Sequence, residues 1–493
     1  MKVEELKEIC RSNGWNPNQT KPNLIDEIMS RGEKSEHGWT DLNFSSEKIT
    51  EPDFSGNCTK NLKASTPYEI FTLFFDRTII THITAETNRY MDQMGKNVEF
   101  KQHFQSECTY EIIMGFIGVL LWMGICKLPS FSDYWCENGE GYDPVRSIMS
   151  RNQFTSIFST IHLSNNNQKD PNDIFYKIRP LIKHLESKFK YYWSPTTIIS
   201  IDEDMIGSRH NHPSIQYMPA KPTKWGFKVF KKADSKGYLY SFMIYQGKAG
   251  KDTSRTSSER GLVQDVILYL LKDLPKDQKY HVYMDNYYSS IDIFSDLYEK
   301  KQYYATGTIK NTAAGLPYSL RHSSENSEVD YVSKCLDKKM MLWRINDSKS
   351  FNLLSTFSTN GEHFKDVKYV NSGTITKEYP QELSLYRSNM GHVDRNNKNI
   401  GQYQYSLKSR RWWLNIFKYF LYASIVNAWI IYNEWHQISL LEFIRDISRH
   451  ISRHYSLRII PITSTTSSSS TSKKELFPNN HTKRHAIVFQ NAN

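Results

Sequence analysis

The spacing of apolar residues changes once along this chain of 493 residues. From residue 67 to about 190 the spacing is helical and predicts helices over residues 68–83, 112–126, 154–163 and 175–189. Beyond residue 191, β-branched and alternating runs predict strands over 196–201, 225–232, 238–245, 280–284 and 303–309. Helical spacing over 260–274 and 289–300 separates the last three strands. The order βββαβαβ therefore predicts an α/β core preceded by a mainly helical domain.

Two aspartates close strands of this predicted core. Asp202 follows Ile-Ser-Ile, and Asp285 follows Val-Tyr-Met. Three meandering strands, a helical crossover and a parallel return place the fourth strand beside the first, because such crossovers are right-handed. We expect Asp202 and Asp285 at the same edge of neighbouring parallel strands, where ligands gather. A single aspartate at a strand end is more often a turn or cap residue, so the prediction of a ligand site depends on the two aspartates occurring together.

A third aspartate, Asp394, precedes a helical stretch over residues 412–435. A carboxylate that returns to the sheet on a late helix would complete a three-carboxylate metal site. Carboxylate oxygens suit Mg²⁺, and two such ions can hold the attacking and leaving oxygens of a phosphodiester. The pattern predicts an RNase H-like core over 191–310 and 386–435, interrupted by a polar segment over 311–385.

The charge of the chain favours a polyanionic partner. The net charge is +11 and the isoelectric point is near 9.0, which favours nucleic acid. The six cysteines include no Cys-x-x-Cys pair, so we expect no structural zinc. From the charged amino terminus we expect no signal peptide. Apolar runs over 112–126 and 416–432 predict buried helices and no membrane span, because the first is short and the second contains Lys418 and Asn427.

The first 34 residues predict a small helical unit, with helices over 3–12 and 21–31. The residues that match are Leu6, Lys7, Gly14, Lys21, Leu24 and Ile25, and they resemble the SAP motif, a helix–loop–helix that binds A/T-rich DNA. Lys21 is then a candidate DNA contact. A hairpin that packs on a protein partner is the equal alternative. Residues 35–66 are polar and predict a linker, and the Ser/Thr-rich residues 461–493 predict a disordered tail.

Three basic groups are candidates for contacts with a nucleic-acid backbone. They are Lys221, Lys224 and Lys228; Lys408, Arg410 and Arg411; and Arg445, Arg449 and Arg453. In the first group, we expect the lysines to face phosphate while the alternating Trp225 and Phe227 pack inside. The third group has four-residue spacing on a predicted basic helix over 436–460. A plain solvated face is the alternative for all three groups.

The motifs, taken in order, resemble those of the piggyBac transposases and their domesticated relatives. They lie at residues 86–90, 201–203, 216–222, 224–228, 285–290, 306–308, 353–356 and 390–394, within a resemblance that covers about residues 66–435. The resemblance implies a cut-and-paste DNA transposase with Asp202, Asp285 and Asp394 as catalytic metal ligands. It also implies two Mg²⁺ ions, which Mn²⁺ can replace. It further implies an insertion domain over 311–385 and TTAA target sites. We expect double-stranded DNA as partner, a homodimer and a nuclear location.

The chain also departs from that family. Asn397 stands where members often have a fourth aspartate, and its carbonyl oxygen is a candidate metal ligand that brings no charge. Where members have an Arg-Gly-Arg motif after the first acidic motif, this chain has Arg-His-Asn, ending at Asn211. No cysteine follows Cys335, so we expect the cysteine-rich zinc-binding domain of many members to be missing. The three aspartates favour an active transposase, and the departures favour a domesticated DNA-binding protein without catalysis. A metal-dependent nuclease or phosphatase unrelated to transposition is the third alternative.

Overall fold

The structure is a computed structural model that describes residues 7, 39–41, 50–247, 261–317, 320, 331–336, 339–347, 349–370 and 373–457. Most of the predicted SAP-like unit, with Lys21, and the whole predicted tail over 461–493 lie outside these residues. Predictions about those segments therefore stay predictions.

Helices dominate the chain between residues 67 and 192. Their bounds are α1 Pro67–Phe71, α2 Arg77–Met94, α3 Asn97–Phe104, α4 Tyr110–Ile125, α5 Asp143–Arg146, α6 Arg151–Thr160 and α7 Arg179–Tyr192. Short 3₁₀ helices occupy Phe131–Trp135 and Asn166–Gln168. The single helix predicted over 68–83 is two helices, because the side chain of Asp76 accepts the Ile79 N–H and begins α2. Residues 112–124 of α4 are all buried, which explains its uniform hydrophobicity.

The mixed core follows in the predicted order, with two short strands added as its first and third strands. Its elements are β3 Trp193–Ser194, β4 Ile198–Gly207, β5 Ile215–Tyr217, β6 Trp225–Asp234, β7 Leu239–Ile244, α8 Leu262–Leu271, β8 His281–Met284, α9 Ile291–Lys301 and β9 Tyr304–Ile309. Two earlier strands are β1 Trp39–Asp41 and β2 Asn57–Cys58, and β2 pairs with β3. β8 lies parallel to β4, and β9 lies parallel to β8. The predicted parallel return beside the first core strand is confirmed.

Strands from the predicted insertion segment extend this sheet. They are β10 Tyr331–Leu336, β11 Met340–Asn346 and β12 Ser350–Ser355, and β12 pairs antiparallel with β9. The sheet order is β1-β10-β11-β12-β9-β8-β4-β6-β5, with β7 also paired to β6. The hairpin of β13 (His363–Val370) and β14 (Gly373–Pro380) forms a separate ladder. The segment therefore shares its first three strands with the core sheet.

Four helices complete the described chain: α10 Gln381–Asn389, α11 His392–Gln402, α12 Trp413–Tyr432 and α13 Leu440–His454. By length and composition alone α12 could cross a membrane, yet 89% of its apolar window is buried inside the protein. α13 crosses α4 closely, because a Cβ at Gly118 would lie 2.4 Å from a methyl carbon of Ile451. The two apolar runs of the sequence are thus buried helices, as predicted.

A buried asparagine joins α12 to the edge of the sheet. The Oδ1 atom of Asn427 accepts the backbone N–H of Leu239 at 2.9 Å, and its Nδ2 donates to the carbonyl of the same residue at 2.9 Å. Asn427 is fully buried. The amide therefore hydrogen-bonds both backbone polar groups of a β7 residue within an apolar interior.

We expect Asn427→Ala to lower the free energy of unfolding by about 3 kcal/mol, because each buried backbone group left unpaired costs about 1–3 kcal/mol. Ser424→Ala is the matched control on the same buried face, since the Ser424 hydroxyl bonds only within its own helix, to the Phe420 carbonyl. Urea denaturation of the two variants measures the difference. Equal losses in both would contradict the bridging role of Asn427.

Candidate active site

The strand β4 carries three consecutive acidic residues, Asp202, Glu203 and Asp204. The prediction that Asp202 ends its strand is wrong, because β4 continues to Gly207 and pairs with β6 along this part. Asp285 directly follows β8, where the last parallel partners are Ile201 and Met284. Asp202 directly follows Ile201, and Asp285 directly follows Met284. Because Ile201 and Met284 are partners on neighbouring strands, the two aspartates lie at the same level of the sheet.

Burial and like charge disfavour ionisation at this pair. Burial raises the pKa of Asp202 to about 7; the carboxylates of Glu203 and Asp285 add to the shift, and the Lys221 ammonium opposes it. Burial also raises the pKa of Asp285, even though its Oδ1 accepts the Tyr287 N–H at 2.8 Å. A cation at this edge would offset both the burial and the carboxylate repulsion that raise the pKa of each aspartate.

Glu203 holds a lysine beside the aspartates. Its Oε1 lies 3.2 Å from the Lys221 ammonium, and its Oε2 accepts the hydroxyl of Tyr288 at 2.6 Å. Burial would raise the pKa of Glu203, but the Tyr288 hydrogen bond and the ammonium groups of Lys228 and Lys221 lower it. The negative charge of Glu203 is thus balanced by its partners, and Glu203 in turn holds the Lys221 ammonium near Asp202.

Asp394 lies in the first turn of α11, is exposed, and lines a cleft of about 1230 Å³. Glu203, Asp204, Lys221, Asn397 and Lys408 also line this cleft. Burial would lower the pKa of Lys221, but the carboxylates of Asp202, Glu203 and Asp394 raise it. The ammonium of Lys221 therefore lies within the electrostatic reach of Asp202 and Asp394 together.

The donor chemistry fits a divalent cation, because carboxylate oxygens are hard ligands and two of the three aspartates have a raised pKa. Within the described residues, however, no three His, Cys, Asp or Glu side chains stand close enough together to hold a metal ion. The structure brings Asp202 and Asp285 together and places Asp394 at the adjoining cleft. Convergence of all three carboxylates on one ion stays a prediction.

A buried lysine ties α11 to the sheet. The Lys231 ammonium, which is fully buried, donates to the Oδ1 atoms of Asn396 and Asn397, the latter at 2.6 Å, and to the Tyr419 hydroxyl at 2.9 Å. Tyr419 in turn donates to Asp204 at 2.7 Å. The oxygen of Asn397 that was the candidate metal ligand is thus an acceptor for Lys231. Lysine within an otherwise apolar strand was the signal in the sequence that could have identified this cluster.

The next residue, Lys232, is buried in a different environment. It is also fully buried, and among the described residues its Nζ has no hydrogen-bond partner. It lies 4.4 Å from the centre of the Tyr240 ring. Burial lowers the pKa of Lys232 well below its usual value. Because side chains alternate along a strand, the two lysines lie on opposite faces of β6. Of the two, only Lys231 meets polar partners within the described part of the chain.

The basic residues predicted to contact nucleic acid have different surroundings. Lys224, Lys408, Arg410, Arg449 and Arg453 are exposed, and Lys221 and Arg445 are half-buried. The expectation that the lysines of the first group face outward while the aromatic rings pack inside is wrong for Lys228 and Trp225. Lys228 is buried with its ammonium 3.7 Å from Glu203, and Trp225 is 48% exposed.

Arg411 is directed inward. Its guanidinium donates to the carbonyl of Ile161 at 3.0 Å and lies over the rings of Phe158 and Trp413. Burial lowers the pKa of Arg411 to about 10. These contacts attach the loop before α12 to the helical domain, so Arg411 has a structural role that its neighbours Lys408 and Arg410 do not share.

We expect the two adjacent lysines to respond oppositely to replacement by methionine. Lys231→Met leaves three oxygen partners without their donor and should lower the free energy of unfolding by roughly 3 kcal/mol. Lys232→Met removes an unpaired buried amine and should leave that free energy unchanged or raise it.

The pH dependence distinguishes the two changes further. The pKa of Lys232 is lower in the folded than in the unfolded protein, so stability is present above the unfolded value and is lost as the pH falls through the folded value. Lys232→Met should remove this part of the pH dependence. Denaturant titrations across alkaline to neutral pH measure both effects, and equal losses in the two variants would contradict the assignment.

The sequence and the fold both match known transposases. A family model described as Transposase IS4 matches residues 66–429. Human PiggyBac transposable element-derived protein 3 is 26% identical over 398 residues, which cover 78% of this chain and 64% of the relative. Human PiggyBac transposable element-derived protein 2 is 27% identical over 400 residues, with the same coverage of 78% and 64%. This chain therefore spans less than two thirds of the length of these relatives.

A solved structure shares the fold. The cryo-EM structure of a piggyBac transposase synaptic complex with hairpin DNA superposes with a TM-score of 0.71 at 21% identity, covering 82% of this chain and 84% of that one. The likeness confirms an α/β fold with an RNase H-like core and an insertion. Because the family model spans well over half of the chain, and the relatives carry the same resemblance, the protein belongs to the Transposase IS4 family, in its piggyBac-type branch.

Proposed function

We propose that this protein is a piggyBac-type DNA transposase that binds double-stranded DNA, cleaves its strands with divalent metal ions and joins ends into TTAA sites. One observation carries the proposal. Asp202 and Asp285 follow one register pair of parallel strands, and burial raises the pKa of both, with the Glu203 carboxylate adding to each shift. Two carboxylates that share a desolvated edge beside a basic cleft are suited to binding metal and phosphate together.

Each group has a separate task in this proposal. Asp202, Asp285 and Asp394 would hold Mg²⁺, or Mn²⁺ in its place, and the bound ions would supply charge for an in-line displacement at phosphorus. Lys221, held by Glu203, balances the carboxylates before metal and substrate arrive. Lys224 and Lys408, which line the cleft, and the exposed Arg410, which follows Ser409 in the chain, would contact phosphates and fix the strand.

A second candidate function is DNA binding with weak or no catalysis. The observation that favours it is the hydrogen bond from Lys231 to Asn397, which occupies the oxygen that a metal would need. The named human relatives are transposable element-derived proteins, which is consistent with a domesticated role. Both candidates share the DNA-binding step and differ only at the cleavage step.

We further propose that the protein acts as a homodimer in the nucleus. Its two DNA-binding surfaces outside the cleft would be the amino-terminal unit with Lys21 and the basic face of α13, with Arg445, Arg449 and Arg453. Arg449 and Arg453 are exposed on that helix, and Arg449 forms an ion pair with Asp446 at 3.1 Å. The molecular mass in solution with and without a duplex tests the dimer, and fluorescent tagging in cells tests the location.

Cleavage separates the two candidates. We expect the protein to nick supercoiled plasmid in Mg²⁺ or Mn²⁺, and we expect Asp202→Asn and Asp285→Asn each to lower the rate by roughly a hundredfold or more, because each removes a metal ligand. Plasmid binding measured in the absence of metal should be retained by both variants.

Asp292→Asn is the matched control for these variants, since Asp292 is an exposed carboxylate in the first turn of α9, shortly after Asp285. It should nick as the parent protein does. Tight plasmid binding by a parent protein that does not nick in either metal would favour the non-catalytic candidate and remove the catalytic one.

The pKa of Asp202 predicts how metal and pH act together. Because this pKa is raised to about 7, the carboxylate contributes stability that is complete below its unfolded value and is lost as the pH rises through about 7. Divalent metal should reverse that loss, so its stabilising shift in melting temperature should be larger above the folded pKa than below it.

Asp202→Asn should abolish both the pH-dependent loss and the pH dependence of the metal shift. Thermal unfolding followed by intrinsic fluorescence, with and without Mn²⁺, measures them. A metal shift that is equally large on both sides of the pKa, or that persists in the variant, would take Asp202 out of the metal site.

A further inference from the structure

An exposed aromatic pair stands at the rim of the cleft. Tyr217 is the last residue of β5 and Trp225 is the first residue of β6, and the two are direct partners across the strands. Their ring centres lie 4.7 Å apart, and the residues are 53% and 48% exposed. Both line the same cleft as Asp394. The pair thus offers a broad apolar surface to solvent beside the acidic site.

The loop that joins these two residues holds both rings and two positive charges in place. Within it, the N–H of Met218 donates to the carbonyl of Lys224 at 2.8 Å, and the N–H of Lys221 donates to the carbonyl of Met218 at 3.2 Å. Pro219 and Pro222 further restrict the backbone between them. The Lys221 ammonium is held by Glu203 at 3.2 Å, while Lys224 is exposed. The surface is therefore preformed.

The chemistry of this surface selects its occupant. Flat apolar rings bind a flat partner by stacking, and an adjacent exposed ammonium binds an anion. A nucleotide combines both features in one unit, a planar base and a phosphate. Every base inside a duplex already stacks on both faces, so away from a duplex end only an unpaired base can offer a free face to the rings. The occupant is then a nucleotide of unpaired DNA rather than a paired one.

We propose that Tyr217 and Trp225 form a stacking platform for an unpaired nucleobase of the DNA strand whose phosphates pass Lys224 toward Asp202 and Asp285. This rests on the proposed function, because it requires the cleft to bind DNA. The platform would hold the strand by a base that has left the duplex and so position the phosphate that follows it. Stacking accepts any base, so the platform contributes affinity for unpaired strands without reading sequence.

Binding of matched DNA probes tests the platform in the full-length protein without divalent metal. The probes are a blunt duplex and the same duplex with a short unpaired overhang that contains the fluorescent base 2-aminopurine. We expect the parent protein to prefer the overhang probe and to quench its fluorescence through stacking. Trp225→Ala should weaken binding of the overhang probe by roughly tenfold, abolish the quenching and leave binding of the blunt duplex unchanged.

Two further variants control for changes in folding or in surface hydrophobicity. Trp225→Phe keeps an aromatic face and should restore most of the preference and the quenching. Tyr191→Ala removes an equally exposed ring, 56% exposed, that packs edge-on against Tyr192 and does not line the cleft. It should bind both probes as the parent protein does.

The outcomes separate this inference from the proposed function. Binding of the blunt duplex with no preference for the overhang, or an equal loss on both probes in Trp225→Ala, would overturn the platform while leaving DNA binding intact. Failure of the parent protein to bind either probe would overturn the proposed function, and the platform with it. Loss of preference and quenching confined to Trp225→Ala, with rescue in Trp225→Phe, supports the platform.

Discussion

The parallel pairing of β4 with β8 is the constraint on which the site depends. It aligns Ile201 with Met284, so the next residue on each strand is an aspartate at the same height of the sheet. Asp202 lies within the β4–β6 ladder and Asp285 directly follows the last residue of β8, and burial raises the pKa of both. The fold thereby holds two like charges together in a desolvated place, which is unfavourable for stability and useful for binding a cation.

Two lysines reduce the repulsion between these carboxylates, one at the cleft and one buried inside the sheet. Lys221, on the loop before β6, compensates the acids from the cleft side and is itself held by Glu203. Lys231, inside β6, compensates Asp204 from below through the hydroxyl of Tyr419. The deeper lysine also bonds to α11, the helix that carries Asp394. The hydrogen-bond cluster around Lys231 therefore both balances the charge of Asp204 and anchors the helix that carries Asp394.

The cleft continues outward from these acids to a rim that is both basic and aromatic. Lys224 and Lys408 give it charge, and Tyr217 and Trp225 give it an apolar face. A protein surface rarely leaves two adjoining large rings half-exposed unless a partner covers them. Basic residues, an aromatic pair and the carboxylates of Glu203, Asp204 and Asp394 line one cleft, which is consistent with a site that holds a nucleic-acid strand.

The sequence by itself determined the order of the core elements, because the period of apolar residues and the right-handed crossover depend only on local chemistry and chain connectivity. That was sufficient to place Asp202 next to Asp285. It also identified the family, because the motifs carried the resemblance. The sequence could not show that β4 continues past Asp202, since a strand containing three acids resembles a turn until β6 is seen to pair with it.

Only the tertiary structure decided which polar residues are buried and what they contact. Lys231 and Lys232 are identical neighbours in sequence, yet one meets three oxygens of α11 and α12 and the other meets an aromatic ring. Arg411 is directed into the helical domain although it continues a basic run, and Trp225 remains exposed although it is a large aromatic residue. Local patterns predict the face on which a side chain lies, and the distant segments that cover that face determine its environment.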